Sequence, residues 1–194
     1  MKLIVFLLAA GVFLSCRQPA TRDKIVEPTK DSTEAHSNFF PVSSYIRGQI
    51  KGLKTDAANP LSVTTVNGQS DSSWLRLEQL DSIFKPFVEP VIDTANLIGF
   101  FSEKKFLDQS LDAFTFTYDP IGKLPDSMLL QHYDVYVNPE TGFVKRVYLM
   151  KKTATGGEQQ LTWLADNWAK IVDIRNDASG KPSVMKEQLI KWKF

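Results

Sequence analysis

The order of patterns along this 194-residue chain predicts an α+β domain, with helices first and antiparallel strands after them. Apolar residues recur at helical spacing as far as Pro86, whereas aromatic and β-branched runs separated by turn residues follow from about Ile98. At the end of the chain Ile190, Trp192 and Phe194 alternate with Lys191 and Lys193, as a sheet with one buried face requires. The expected architecture is two N-terminal helices packed on the inner face of a curved antiparallel sheet of about six strands.

The elements follow in chain order. The globular part begins at Phe39-Phe40-Pro41 and runs to residue 194 as a single α+β domain. Val42, Tyr45, Ile46, Ile50 and Leu53 mark one face of a first helix, with Pro41 suited to its first turn. Gly48 and Gly52 each weaken it by about 1 kcal/mol relative to alanine, and Asn59-Pro60 ends the segment. Leu61 to Val66 reads as extended because it is rich in β-branched residues, and Asn67-Gly68 turns the chain. A second helix is expected with Ser72 or Ser73 as its cap, Trp74, Leu77, Leu80 and Phe84 as its apolar stripe and Pro86 as its stop. Glu78 and Asp81 lie off that stripe and should face water.

Strand signals occupy the remainder. They cover Gly99 to Leu107, Ala113 to Tyr118 before Asp119-Pro120, and Gln131 to Val137. Asn138-Pro139-Glu140-Thr141-Gly142 is a strong turn, so the run from Phe143 to Lys152 should form a hairpin with the strand before it. After a turn at Thr155-Gly156-Gly157 come Gln160 to Leu164, Trp168 to Ile174 and Leu189 to Phe194. No solenoid period is visible.

The N-terminus carries a different message. Met1-Lys2, the apolar run Leu3 to Leu14 and then Ser15-Cys16 form a secretory signal pattern over residues 1–15. The run is too short to cross a bilayer, which takes about 20 apolar residues. Phe13-Leu14-Ser15-Cys16 resembles the lipobox of bacterial lipoproteins, with Phe13 where leucine is commoner. The resemblance implies cleavage before Cys16, lipidation of its thiol and localisation at the cell envelope. Two or more acyl chains would hold the protein stably on a membrane without spanning it. Arg17-Gln18 matches no sorting rule that selects the inner or the outer membrane. Arg17 to Asn38, polar and rich in Pro, Thr and Ser, completes a 16–38 segment of lipidated cysteine and flexible tether. As a loose chain it would average about 25 Å end to end and stretch to about 75 Å.

Composition excludes several functions. The whole chain has 23 basic and 22 acidic side chains, and loss of Lys2 with the signal leaves an even balance. Nucleic-acid binders show a basic face or stripe, which the scattered charges here do not suggest. Cys16 is the only cysteine, so no internal disulfide forms. Thirteen phenylalanines and four tryptophans are ample for a packed core. No metal-ligand spacing, phosphate loop or nucleophile elbow is present, and no cofactor is implied.

Two groups of residues could still carry function. His132, Asp134 and Tyr136 share one face of a strand and could orient one another for acid–base work, although a polar outer face is the plainer reading. Tyr133, Val135 and Val137 point the other way, toward the core. Ser43-Ser44 and Ser72-Ser73 read as helix starts rather than nucleophiles. Trp163, Trp168 and Trp192 could gather across the late strands, as core or as the wall of an apolar groove. The expectation is therefore a membrane-anchored, non-catalytic binding or adaptor domain for another envelope protein. Its alternatives are a carrier of lipid or another apolar ligand between helices and sheet, or a hydrolase using His132 and Asp134.

Overall fold

Nine strands, each antiparallel to its neighbours, dominate a computed structural model that describes residues 39–194 apart from Ala58 and Ala178. They are β1 (Leu61–Val66), β2 (Gln69–Trp74), β3 (Phe101–Asp108), β4 (Ala113–Pro120), β5 (Leu130–Val137), β6 (Val144–Lys152), β7 (Glu158–Leu164), β8 (Trp168–Asn176) and β9 (Pro182–Lys191). The spatial order is β2-β1-β9-β8-β7-β6-β5-β4-β3. Strands β3 to β9 thus form a continuous meander, and the early hairpin is added to its last strand. One long helix, α1 (Val42–Thr55), and three single turns, α2 (Leu80–Ile83), α3 (Lys85–Val88) and α4 (Thr94–Leu97), complete the fold. Among the described residues no helix is long and apolar enough to cross a membrane. The expected signal segment, Cys16, the tether and His36 lie outside the described residues.

The expected two helices on a sheet of about six strands are corrected here. The first helix is present with the predicted face inward: Val42, Ile46, Ile50 and Leu53 are buried. The second is not a helix at its start. Asn67 and Gly68 both have positive φ, 50° and 78°, the geometry of a two-residue hairpin turn. That turn pairs Gln69 to Trp74 residue for residue with Val66 to Leu61. Hydrogen-bonded pairing across the hairpin overrides the helical spacing of Trp74 with Leu77, so Ser72 and Ser73 sit on a strand. All six residues of β2 are exposed, as suits a polar edge strand. Leu80 and Phe84 do point inward, but Pro86 lacks the N–H needed to continue the ladder. The remainder is therefore a 3₁₀ turn at Leu77–Gln79 followed by α2 and α3. Glu78 and Asp81 are exposed as expected, and Asp81 accepts from Lys54 Nζ at 2.5 Å, joining α2 to α1.

The last strand also differs. β9 begins at Pro182, seven residues earlier than expected, and ends at Lys191. Ile190 is buried and Trp192 packs against the core. Phe194, beyond the strand, is 80% exposed beside Trp74 of the edge strand.

The core lies between the helices and one face of the sheet. Trp163 is fully buried, with ring centroids 4.9 Å from Phe84, 5.5 Å from Phe87 and 4.9 Å from Trp192. Burying one such side chain contributes about 5 kcal/mol. Trp168 belongs to the opposite face, so two of the three late tryptophans meet. Ser43, buried in the first turn of α1, donates to Val88 O at 3.1 Å and accepts from Ile92 N–H at 2.9 Å. It pins the helix to the segment after α3.

Two tyrosines in the core test this packing. Tyr118 and Tyr133 stack with centroids 4.0 Å apart. Tyr118 donates to Glu103 Oε2 at 2.5 Å and accepts from Phe40 N–H at 3.0 Å. The Tyr133 hydroxyl is buried with no partner among the described residues. Burial pushes both phenols up, and Glu103 adds to the effect at Tyr118. Tyr118→Phe should therefore lower unfolding free energy by about 1–3 kcal/mol in denaturant titrations, because it leaves the Phe40 amide without its acceptor and removes one of two partners of Glu103, which keeps Lys105 at 2.8 Å. Tyr133→Phe should be neutral or stabilising in the same measurement, and a loss as large as that of Tyr118→Phe would contradict the packing.

Candidate functional site

The residues singled out on β5 occupy the sheet face opposite the core. Tyr133 and Val135 are fully buried, and the two-residue period sends His132, Asp134 and Tyr136 the other way. The geometry ties all three together. His132 Nε2 lies 3.0 Å from Asp134 Oδ2, and Tyr136 donates to the same oxygen at 3.3 Å. On the other side His132 Nδ1 lies 2.9 Å from Asp119 Oδ1, at the end of β4. Asp119 also accepts from Lys104 Nζ at 3.0 Å, and Asp134 from Thr117 Oγ1 at 2.7 Å. Arg146 of β6 stacks over the Tyr136 ring at 4.0 Å.

The spacing along β5 does not by itself bring His132 to Asp134, because same-face neighbours stand about 7 Å apart. The side chains close that gap by leaning along the strand. Asp119, Thr117 and Lys104 reach the cluster through pairing of strands β3, β4 and β5, and Thr117 sits directly opposite Asp134. No periodicity in one strand reveals such partners. Asp119-Pro120 reads as a turn, yet it lies on β4.

Charge follows from this geometry. Two carboxylates facing two ring nitrogens ask the imidazole to donate from both, which is the imidazolium form. The hydrogen bond to Asp134 is the largest influence raising the His132 pKa, and Asp119 adds to it against partial burial. Lys104 and then His132 hold Asp119 below the usual carboxylate range. At Asp134 burial pushes upward, but bonds from His132 and Thr117 outweigh it and the net shift is downward.

This arrangement defines what the cluster can do. An imidazole with both nitrogens bonded to carboxylates offers no lone pair to deprotonate a hydroxyl, so a triad with a serine has no place to form. Instead, the cluster ties β3, β4 and β5 together by charge-assisted bonds on the face away from the helices. A second polar group lies on the opposite face of the sheet. Lys151 shares the inward face of β6 with Val147 and Leu149 and is 4% exposed. Its signal was legible in that alternation.

The cluster predicts a specific pH dependence. A folded-state pKa raised above the ordinary value of about 6.5 stabilises fully below that value. The contribution is lost as pH rises through the folded midpoint. Wild type should lose stability relative to His132→Gln over that interval, and an NMR titration should place the His132 midpoint above about 6.5. Asp134→Asn should lower unfolding free energy by about 1.5–3 kcal/mol, because its bonds are to charged groups. A midpoint at or below the ordinary value would break the proposed ion-pair geometry.

No protein-family model matches this chain, and neither a curated protein nor a solved structure is detectably similar to it.

Proposed function

We propose that this chain is a lipid-anchored protein of the bacterial cell envelope, on the inner or the outer membrane, whose β-rich domain binds a partner rather than catalysing a reaction. The observation that carries the reading is Cys16 directly after Ser15 at the end of a short apolar run. Residues 17–38 then supply enough polar chain to hold a domain beginning at Phe39 clear of the lipid.

Packing supports binding over the two alternatives. A carrier would need an enclosed apolar cavity at the centre of the layer between helices and sheet, and that centre is occupied by Phe84, Phe87 and Trp163, all fully buried. A hydrolase would need His132 free to act on a nucleophile, and Asp119 and Asp134 take both of its nitrogens.

The anchor is tested by growing cells on radiolabelled palmitate. Label should enter the wild-type protein and be absent from Cys16→Ala, which should also leave the membrane fraction. Equal labelling of the two proteins would end the reading.

A further inference from the structure

Lys151 departs from the rule that inward strand positions are apolar. It follows Val147 and Leu149 on the buried face of β6, and its ammonium reaches the backbone at the edge of the helical layer. There it donates to Pro86 O and, at 2.7 Å, to Glu89 O. An ammonium has three protons, and the third has no protein acceptor among the described residues. Neither contact carries a formal charge. The nearby carboxylate of Glu89 pairs with Lys85 at 3.4 Å instead. A buried cation satisfied only by carbonyl dipoles is costly, and it is stabilised strongly by a counter-ion. Burial accordingly lowers the Lys151 pKa to about 8, with Glu89 opposing weakly.

The space beside this ammonium is a groove of about 800 Å³ between α1, α3 and the ends of β6 and β7. Arg47, Lys85 and Lys152 line it along with Lys151, and Glu89 is the one acid among its lining residues. Arg47 also borders a neighbouring hollow with Lys51 and Lys54. Pro90, Val91 and Leu129 supply an apolar wall, while Ser127, Thr153 and Gln159 offer polar groups. A chain of nearly zero net charge thus concentrates positive charge around a recess that has a buried cation among its lining residues.

We propose that this groove binds an oxyanion, a phosphate monoester or a bare phosphate, with Lys151 as its buried counter-charge and Arg47 and Lys152 at its mouth. The inference names a ligand class for the binding domain read above, but it does not rest on Cys16. Failure here would leave the labelling result intact, and the reverse also holds.

The test uses the full-length chain with ¹³C at lysine Cε. Inorganic phosphate, hexyl phosphate and uncharged hexanol are titrated separately while the Lys151 resonance is followed by NMR. Saturable shifts with the phosphates and a Lys151 midpoint raised from about 8 are expected. Tighter binding of hexyl phosphate would identify an esterified ligand using the apolar wall, and equal affinities would identify the bare ion. Lys151→Met should weaken binding about tenfold or more, equivalent to about 1.4 kcal/mol. Because that change also removes bonds to two carbonyls, the exposed pair Arg47→Ala with Lys152→Ala is the companion test and should weaken binding as well. The proposal is overturned if neither phosphate moves the Lys151 resonance, if hexanol moves it equally, or if the Arg47/Lys152 variant binds phosphate as wild type does.

Discussion

The two-residue period of the strands is the constraint on which this structure depends. Outside the bulges in the β5–β6 and β8–β9 pairs, strands β4 to β9 present alternate residues to the helical layer, and a slip of one residue would exchange the two faces. Tyr133, Val135, Leu149, Leu161, Trp163 and Ile190 are fully buried because the antiparallel register holds them in step. The same register places His132, Asp134 and Tyr136 together on the other face. Pairing of β1 with β9 brings the first strand against the last, so the order of the meander determines where the N-terminal hairpin can attach.

Two charged groups meet this constraint in opposite ways. His132 stands on the outer face, where pairing of β4 with β5 supplies Asp119 and Asp134 as internal counter-charges. Lys151 stands on the inner face, where its contacts are carbonyl oxygens. The first cluster is electrostatically complete, so its natural consequence is cohesion of the sheet. The second is hydrogen-bonded to neutral carbonyls and has one nearby acid, Glu89, which is paired with Lys85, so an external anion gains from approaching.

Several single elements were legible in the sequence, whereas the nine-stranded arrangement was not, and the failures have a common cause. The helix at Val42 announced itself through a periodic apolar stripe closed by Asn59-Pro60. The hairpin around Asn138 to Gly142 was visible because its turn residues lie between two alternating runs. Ser72 to Trp74 was misread as the start of a helix because the serines suit a cap and Trp74 fits the helical stripe; their structure comes from pairing with Leu61 to Val63. The same limit hid half of the His132 cluster. Asp134 and Tyr136 follow from spacing on β5, whereas Asp119, Thr117 and Lys104 depend on which strands become neighbours. Local pattern specifies faces, and tertiary pairing specifies partners.

Lys151 marks the boundary between those two kinds of information. Its inward direction follows from Val147 and Leu149, so the sequence alone could have identified a lysine aimed at the core. What receives it could not be read the same way, because Pro86 and Glu89 lie more than sixty residues earlier. Pro86 O is left free because Pro90, four residues on, has no N–H to donate, and Glu89 O lies beyond the end of α3. The missing donor of Pro90 and the chain's exit from α3 at Glu89 therefore supply the acceptors for the buried cation on the sheet.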